Sequence, residues 1–249
     1  MVTNTPIRIA AVGDLHCTKS SAGNLAPMFA QLASFADVLV LCGDLTDYGL
    51  PEEASILAKE LTTVRVPIVG VLGNHDFESG KSEEVKKILM DVGMNVLDGE
   101  SCEILGIGFA GVKGFGGGFG RRTLGAWGEQ SIKNLVHEAV DEALKLETAL
   151  ARLRTNQRIA VLHYAPIAET VEGEPLEIYP FLGTSRLEEP LGRYPVTAVF
   201  HGHAHKGSLE GKTQMGVPVF NVALPLLRSR LPDHPPFKII TVEAQAEAA

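Results

Sequence analysis

Ile7-Arg8-Ile9-Ala10-Ala11-Val12-Gly13-Asp14-Leu15-His16 is a short, nearly continuous apolar run that breaks at a glycine and delivers an aspartate and a histidine. Residues 38–42 repeat the pattern and end on Gly43-Asp44-Leu45-Thr46-Asp47; residues 68–72 repeat it again and end on Gly73-Asn74-His75-Asp76. Runs of this kind suit parallel strands buried on both faces. Helical patterns lie between them. Residues 24–35 and 51–64 carry apolar side chains at spacings of three and four, and Pro51 followed by Glu52 and Glu53 is a good helix start. Gly13, Gly43 and Gly73 are 30 residues apart, the length of a β-α-β unit. The segments between them share no self-similarity, so the spacing reflects α/β winding rather than a structural repeat.

Working outward, residues 104–112 alternate towards strand. Residues 128–153 read as a long amphipathic helix with Ile132, Leu135, Val136, Ala139, Val140, Ala143 and Leu144 on its inner face. Strands then dominate, at residues 158–163, 196–200, 217–222 and 237–242. No linker divides the chain, so residues 1–249 read as one layered α/β domain with 1–5 and 244–249 expected to fray. At 249 residues and 45% hydrophobic content a substantial core is expected.

Composition narrows the function classes. The chain has 22 Lys and Arg against 30 Asp and Glu, a net charge of −8, which disfavours nonspecific attraction to nucleic acid or anionic lipid. No nucleic-acid groove is evident, and no stretch approaches the ~20 apolar residues of a membrane span. The opening residues lack the basic region and apolar run of a signal peptide, so a cytoplasmic address is expected. Cys17, Cys42 and Cys102 are an odd number at unrelated spacings, which fits reduced thiols buried as small core residues. Oligomeric state is not legible.

Five clusters hold most of the metal-competent side chains: Asp14 with His16, Asp44, Asn74-His75-Asp76, His163, and His203 with His205. The first four each follow a predicted strand directly. Residues just beyond the carboxyl ends of neighbouring strands converge on one crevice in an open α/β sheet, and glycine lets the backbone turn there. Imidazole nitrogens with carboxylate and amide oxygens suit zinc, manganese, iron or cobalt. Five imidazoles and two carboxylates exceed the about four ligands of one tetrahedral zinc, and two ions fit better. One carboxylate could bridge them at the ~3.5–4 Å separation that clamps a phosphoryl group.

Taken together, Asp14-x-His16, Gly43-Asp44, Gly73-Asn74-His75-Asp76, His163 and Gly202-His203-Ala204-His205 resemble the calcineurin-like metallophosphoesterases, with all five family blocks present in order across residues 13–205. The resemblance implies a four-layer α/β/β/α sandwich. It implies that Asp14, His16 and His205 bind one metal, that Asn74, His163 and His203 bind a second, and that Asp44 bridges both. His75 is then not a ligand but stands beside the substrate, stabilising the phosphate or protonating the leaving oxygen, with Asp76 orienting its ring. The expected reaction is hydrolysis of a phosphodiester or small phosphomonoester by a hydroxide bridging two divalent or mixed-valence transition metal ions. Family protein phosphatases end their second block in Asp-Arg-Gly, whereas this chain has Asp47-Tyr48-Gly49, which weakens a phosphoprotein reading. A relative in the retromer keeps the fold for protein binding with substituted ligand positions; here none is substituted.

Other residues carry weaker expectations. Asp47 suits an ordinary turn. His201 alternates with His203 and is a candidate supporting residue behind the ligands. His137 and His234 suit solvated surface. The loop from Gly111 to Trp127 is glycine-rich and carries Arg121 and Arg122: either it covers the site and an arginine binds substrate phosphate, or it is a surface loop whose arginines pair with acidic helix neighbours. The run Gly106-Ile107-Gly108-Phe109-Ala110-Gly111 matches a dinucleotide-binding glycine pattern, but it lies within a predicted strand and opens no helix, so that reading fails.

Overall fold

The computed structural model describes residues 4–245. Each predicted apolar run becomes a strand. β1 (Asn4–Val12), β2 (Val38–Cys42), β3 (Ile68–Val71) and β4 (Met94–Val96) are parallel neighbours, and β11 (Lys238–Gln245) pairs antiparallel with the free edge of β1. A second sheet has β5 (Ser101–Ile104), β6 (Ile107–Val112), β7 (Gln157–Leu162), β8 (Ala198–His201), β9 (Glu210–Lys212) and β10 (Pro218–Asn221). Its order is β5-β6-β7-β8-β10-β9, with β6, β7, β8 and β10 parallel.

The pleat sorts the second sheet between two cores. Ile107, Phe109, Ile159, Val161 and Phe200 join Ile9, Val40 and Val69 of the first sheet in one cluster. Their neighbours Ala110, Val112, Ala160 and Leu162 face the opposite way, against Leu146, Ala149 and Leu150 of α4 (Gln130–Arg152). The outer face of the first sheet is covered by α2 (Pro51–Leu61) and α3 (Ser82–Asp91), whose Leu57, Leu61, Val85 and Leu89 belong to the first cluster. The result is the α/β/β/α sandwich. Four short helices complete the described residues: α1 (Ala26–Ala30), α5 (Tyr179–Leu182), α6 (Glu188–Arg193) and α7 (Leu224–Arg230). No described helix is long and apolar enough to cross a membrane.

Several expectations are corrected. The helix expected over 24–35 is only α1 and a 3-10 turn at Leu32–Ser34, too short to be stable alone. Tertiary contact secures it: the buried Glu60 carboxylate of α2 accepts from the amides of Gly23, Leu25 and Ala26. Residues 104–112 are not one strand, because Leu105 (φ 52°) and Gly106 (φ 76°) form a two-residue turn joining β5 to β6. On α4, Leu144 is exposed, while Glu142 is buried in its place, held by Lys145 Nζ at 2.7 Å and the Gly114 amide at 2.7 Å. Of the expected frayed ends, residues 4–5 and 244–245 are paired in the β1–β11 ladder, and residues 1–3 and 246–249 lie outside the described residues. The short β4 and the α3 before it carried no distinct sequence signal.

Candidate metal centre

The two sheets are stitched together where their parallel strands end. The Gly13 amide donates to Val222 O (2.9 Å) and the Leu224 amide to Gly13 O (3.0 Å), joining the end of β1 to the segment after β10. Bonds from the Val222 amide to His201 O (2.7 Å) and from the Gly202 amide to His163 O (3.1 Å) hold the strand ends of the second sheet side by side. Loops from β1, β2, β3, β7 and β8 therefore open onto one crevice. Among the described residues the non-glycine positions with positive φ are Asp14, His16, Asp44, Leu105 and His203. Apart from the turn residue Leu105, all belong to the clusters singled out by sequence. Such conformations are costly for side-chain-bearing residues and persist where surroundings over-determine them. Here the Asp14 amide donates to Gly43 O (2.9 Å) and the His16 amide to Asp44 O (3.0 Å), so the first two loops brace each other. Two glycines are required by proximity. A Cβ at Gly202 would fall on the Asp14 carboxylate, and one at Gly73 on the amide and carboxylate of Asp44.

The side chains form overlapping groups with potential ligand atoms within 4.8 Å of one another: Asp14, His16 and His205; Asp44, His163 and His203; and His16, Asp44 and His75. His205 Nε2 lies 2.9 Å from Asp14 Oδ1, and His163 Nε2 lies 3.3 Å from Asp44 Oδ1 and 2.9 Å from Asn74 Oδ1. His16 Nε2 and His75 Nε2 each stand 3.9 Å from Asp44 Oδ2. Asp44 thus lies between the two ligand groups that the family resemblance implies. Both carboxylates are buried. Burial pushes the Asp44 pKa up, but His163 and His75 outweigh it and hold the carboxyl well below the usual range. Burial lowers the His163 pKa, yet Asp44 and Asp14 overcome this and hold it at about 9. Burial and the neighbouring His163 push His203 down to about 4, whereas the Asp14 hydrogen bond raises His205.

The donor set suits a cation. Among the described residues His16 Nε2 is the buried side-chain nitrogen or oxygen with no hydrogen-bond partner. Asp47 Oδ1 accepts from His16 Nδ1 at 3.1 Å, which puts the proton on Nδ1 and aims the Nε2 lone pair towards Asp44. A lone pair facing a carboxylate in a buried crevice is unfavourable unless a positive charge lies between them. His163 is oriented in the same way, its Nδ1 donating to Cys42 O at 2.9 Å, although its Nε2 has a partner in Asn74 Oδ1 at 2.9 Å beside Asp44. His203 Nε2 donates to Phe181 O at 3.1 Å, which leaves Nδ1 as its ligand atom. Ring orientation by a carbonyl or carboxylate on the other nitrogen is how metal-binding histidines are commonly held.

Two roles expected from sequence change hands. Asp76 does not orient His75. It is fully buried and accepts from the amides of Leu45, Thr46 and Gly73 and from Thr46 Oγ1 (2.6 Å), tying the second loop to the third. The His75 ring is held instead by Asp47, whose backbone oxygen accepts from Nδ1 at 2.7 Å. Asp47 is therefore no ordinary turn residue, since its side chain sets His16 and its carbonyl sets His75. Its position three residues past Asp44 in the Gly43-Asp44-x-x-Asp47 run was the available signal.

His201 is fully buried but faces away from the cluster, with Nε2 against Thr170 Oγ1 (2.8 Å) and Nδ1 against Gly202 O (2.8 Å); burial lowers its pKa to about 4. His137 and His234 are exposed, as expected. The loop at 111–127 is lashed to the segment around α5 by bonds from the Gly117 amide to Pro180 O (2.6 Å), the Gly118 amide to Gly183 O (2.9 Å) and the Ser185 amide to Gly118 O (3.1 Å). Arg121 and Arg122 are exposed in a 3-10 turn and make no ion pair or side-chain hydrogen bond among the described residues. Neither reading of them is observed: no acidic helix partner engages them, and Arg121 lines a separate cleft of about 550 Å³ with Arg186, Glu188 and Gln214 that no residue of the metal cluster borders. The pinned loop turns outward at Gly120, which accounts for their placement.

Comparison with known proteins agrees with this architecture. An uncharacterized protein of Methanocaldococcus jannaschii is 30% identical over 102 residues, 41% of this chain; the match spans 43% of that relative's length. Phosphopantetheinyl hydrolase from Mycobacterium tuberculosis superposes with a TM-score of 0.66 at 15% identity, covering 93% of this chain and 95% of that one. Purple acid phosphatase from yellow lupin gives 0.53 at 12% identity over 90% of this chain and 44% of that one. GAP50, the anchor in the inner membrane complex of Plasmodium, gives 0.52 at 13% identity over 88% of this chain and 72% of that one. At such identities these likenesses establish a shared fold. The family model described as calcineurin-like phosphoesterase matches residues 7–207, a span that contains every loop of the crevice, and the chain belongs to that family.

Proposed function

We propose that this chain is a metal-dependent hydrolase of a small phosphate ester, either a phosphomonoester or a phosphodiester. Asp14, His16 and His205 would hold one ion, Asn74, His163 and His203 a second, and Asp44 would bridge them, with manganese, iron, zinc or cobalt suited to the ligand set. The observation that carries this reading is the buried, partnerless Nε2 of His16 beside a carboxylate shared by two ligand groups. Bound there, two divalent ions would supply positive charge against the phosphate and the Lewis acidity that activates water near neutral pH. The chain's own residues would do the rest. Asp47 fixes the rings of His16 and His75 together, so a substrate seated against the ligands meets His75 Nε2 in a set orientation. With Nδ1–H donating to Asp47 O, His75 in its imidazolium form would give its Nε2 proton to the leaving oxygen and be left as the neutral Nδ1–H tautomer. Asp76 would keep the second and third loops in register rather than move a proton. The proposal treats residues 1–249 as one domain, because ligands come from both sheets.

A binding scaffold is the rival reading, favoured by the fold shared with the Plasmodium anchor protein. Against it, every ligand position here retains a metal-competent side chain. The deciding experiment loads the purified protein with Mn, Zn, Co, Ni or Fe and assays aryl phosphomonoesters, aryl phosphodiesters and natural nucleotides. We expect close to two metals per chain and turnover that a chelator abolishes. Tight metal loading with silence on every substrate would transfer the chain to the scaffold class, and hydrolysis undiminished without metal would remove the site altogether.

A further inference from the structure

A cation at the edge of the crevice has no carboxylate of its own. Lys113 directly follows β6, and its carbonyl accepts from the amides of His163 and Tyr164, both at 3.1 Å, which puts it at the same sheet edge as the metal-ligating loops. Its ammonium stands 5.6 Å, 4.9 Å and 5.4 Å from the ring centroids of Phe77, Phe115 and Tyr164. Two of these rings connect it to the cluster. Phe77 is two residues past His75 and 41% exposed, and the Tyr164 ring lies 4.5 Å from that of His203 and 5.5 Å from that of His163.

Among the described residues Lys113 Nζ makes one hydrogen bond, to Gly114 O at 2.9 Å, and no ion pair. Glu83 shares a small cleft with Lys113 without pairing to it, and two further nearby acids are matched elsewhere. Lys145 takes both Glu142 (2.7 Å) and Asp98 (3.1 Å), and the Gly114 amide takes the other Glu142 oxygen. The Tyr164 hydroxyl also has no hydrogen bond among the described residues, although the residue is only 8% exposed. Aromatic faces stabilise an ammonium but leave most of its N–H donors unused, and a half-buried cation with spare donors attracts an anion. In a chain of net charge −8 this pairing of spare positive charge with the crevice wall stands out chemically.

We propose that Lys113, walled by Phe77, Phe115 and Tyr164, is a substrate-binding residue that receives a second anionic group of the substrate on the Asn74–His163–His203 side of the crevice. This rests on the phosphoesterase reading and narrows it to esters that carry a carboxylate or a further phosphate near the scissile phosphorus. An apolar or planar connecting segment would lie against the three rings.

The test titrates the metal-loaded protein calorimetrically with methylphosphonate, phosphonoacetate and methylenebisphosphonate, after dialysis to remove free metal. The wild type is expected to bind one of the two dianionic-centre ligands at least ten-fold more tightly than methylphosphonate. Which one it prefers separates a carboxylate from a phosphate as the second group. That preference should collapse in Lys113→Met and partly return in Lys113→Arg; if Lys113→Met does not fold, Lys113→Gln makes the same comparison. Equal affinity for all three ligands in the wild type, or a preference that survives loss of the ammonium, overturns the proposal. Because the readout is binding, it holds apart from turnover: failure to hydrolyse any ester would remove the hydrolase reading and leave the anion subsite standing.

Discussion

At the scale of single residues, the crevice separates groups that would hold metal from groups that would act beside it. His75 Nε2 stands 3.9 Å from Asp44, as His16 Nε2 does, but the ligand set that the family resemblance implies is complete without it, so truncation should spare that set. We expect His75→Ala to retain its metal, measured by elemental analysis, and to lose ~10²–10⁴-fold in turnover, the usual scale of a missing general acid. Turnover at the wild-type rate would strip His75 of that role. Asp47→Ala should behave differently, because it releases the His16 ring: metal affinity should drop ~10–100-fold in competition with a chromogenic chelator. The thiols make a third prediction. Burial pushes the Cys17 thiol up to about 11, so only ~0.1% is thiolate at pH 8. Native protein should resist iodoacetamide at Cys17 and Cys42 and react fully once unfolded; rapid native labelling of Cys17 would contradict the buried placement. Ligand identity was legible in the Gly-Asp and Gly-His blocks. The partners of Asp47 and Asp76 were not, because two carboxylates three or four residues past different glycines look alike in sequence, and only folding shows that Asp76 turns inward to four loop donors while Asp47 faces two rings.

At the scale of elements, strand ends do the positioning, and the loops that follow have almost no slack. A methyl group at Gly202 or Gly73 would collide with the carboxylates that these loops press against. Gly202→Ala and Gly73→Ala should therefore cost ~1–3 kcal/mol of stability by overpacking and release metal, read by calorimetric melting and metal content. Unchanged melting and full metal would mean the loops can yield where the packing says they cannot. The strands themselves were easy to anticipate, since five-residue apolar runs have few alternatives. The segments of weak pattern were harder. The expected helix at 24–35 shrank to α1 because its anchoring comes from Glu60 on another element, and β5 was hidden because the turn at Leu105-Gly106 uses a leucine in a left-handed conformation.

For the whole molecule, two sheets meet at one edge and bury Asp14 and Asp44 in a common crevice, where like charges repel. Chelation should lower the melting temperature. At a free metal concentration ~100-fold above its dissociation constant, binding contributes ~2.7 kcal/mol, or about 5–10 °C for a domain of this size. A melting curve indifferent to chelator would contradict a metal-supported crevice. Sequence by itself determined the α/β winding, the strand ends and the candidate ligands, because hydrophobic periodicity and the Gly-Asp and Gly-His blocks are local features readable without neighbours. Tertiary structure alone decided which nitrogen of each histidine faces the crevice, that Asp47 rather than Asp76 holds His75, that Arg121 borders a different cleft, and that Lys113 stands among aromatic rings at the rim. Those outcomes depend on hydrogen bonds and ring contacts between segments 28 to 191 residues apart, and such pairings exist only once the two sheets have closed on each other.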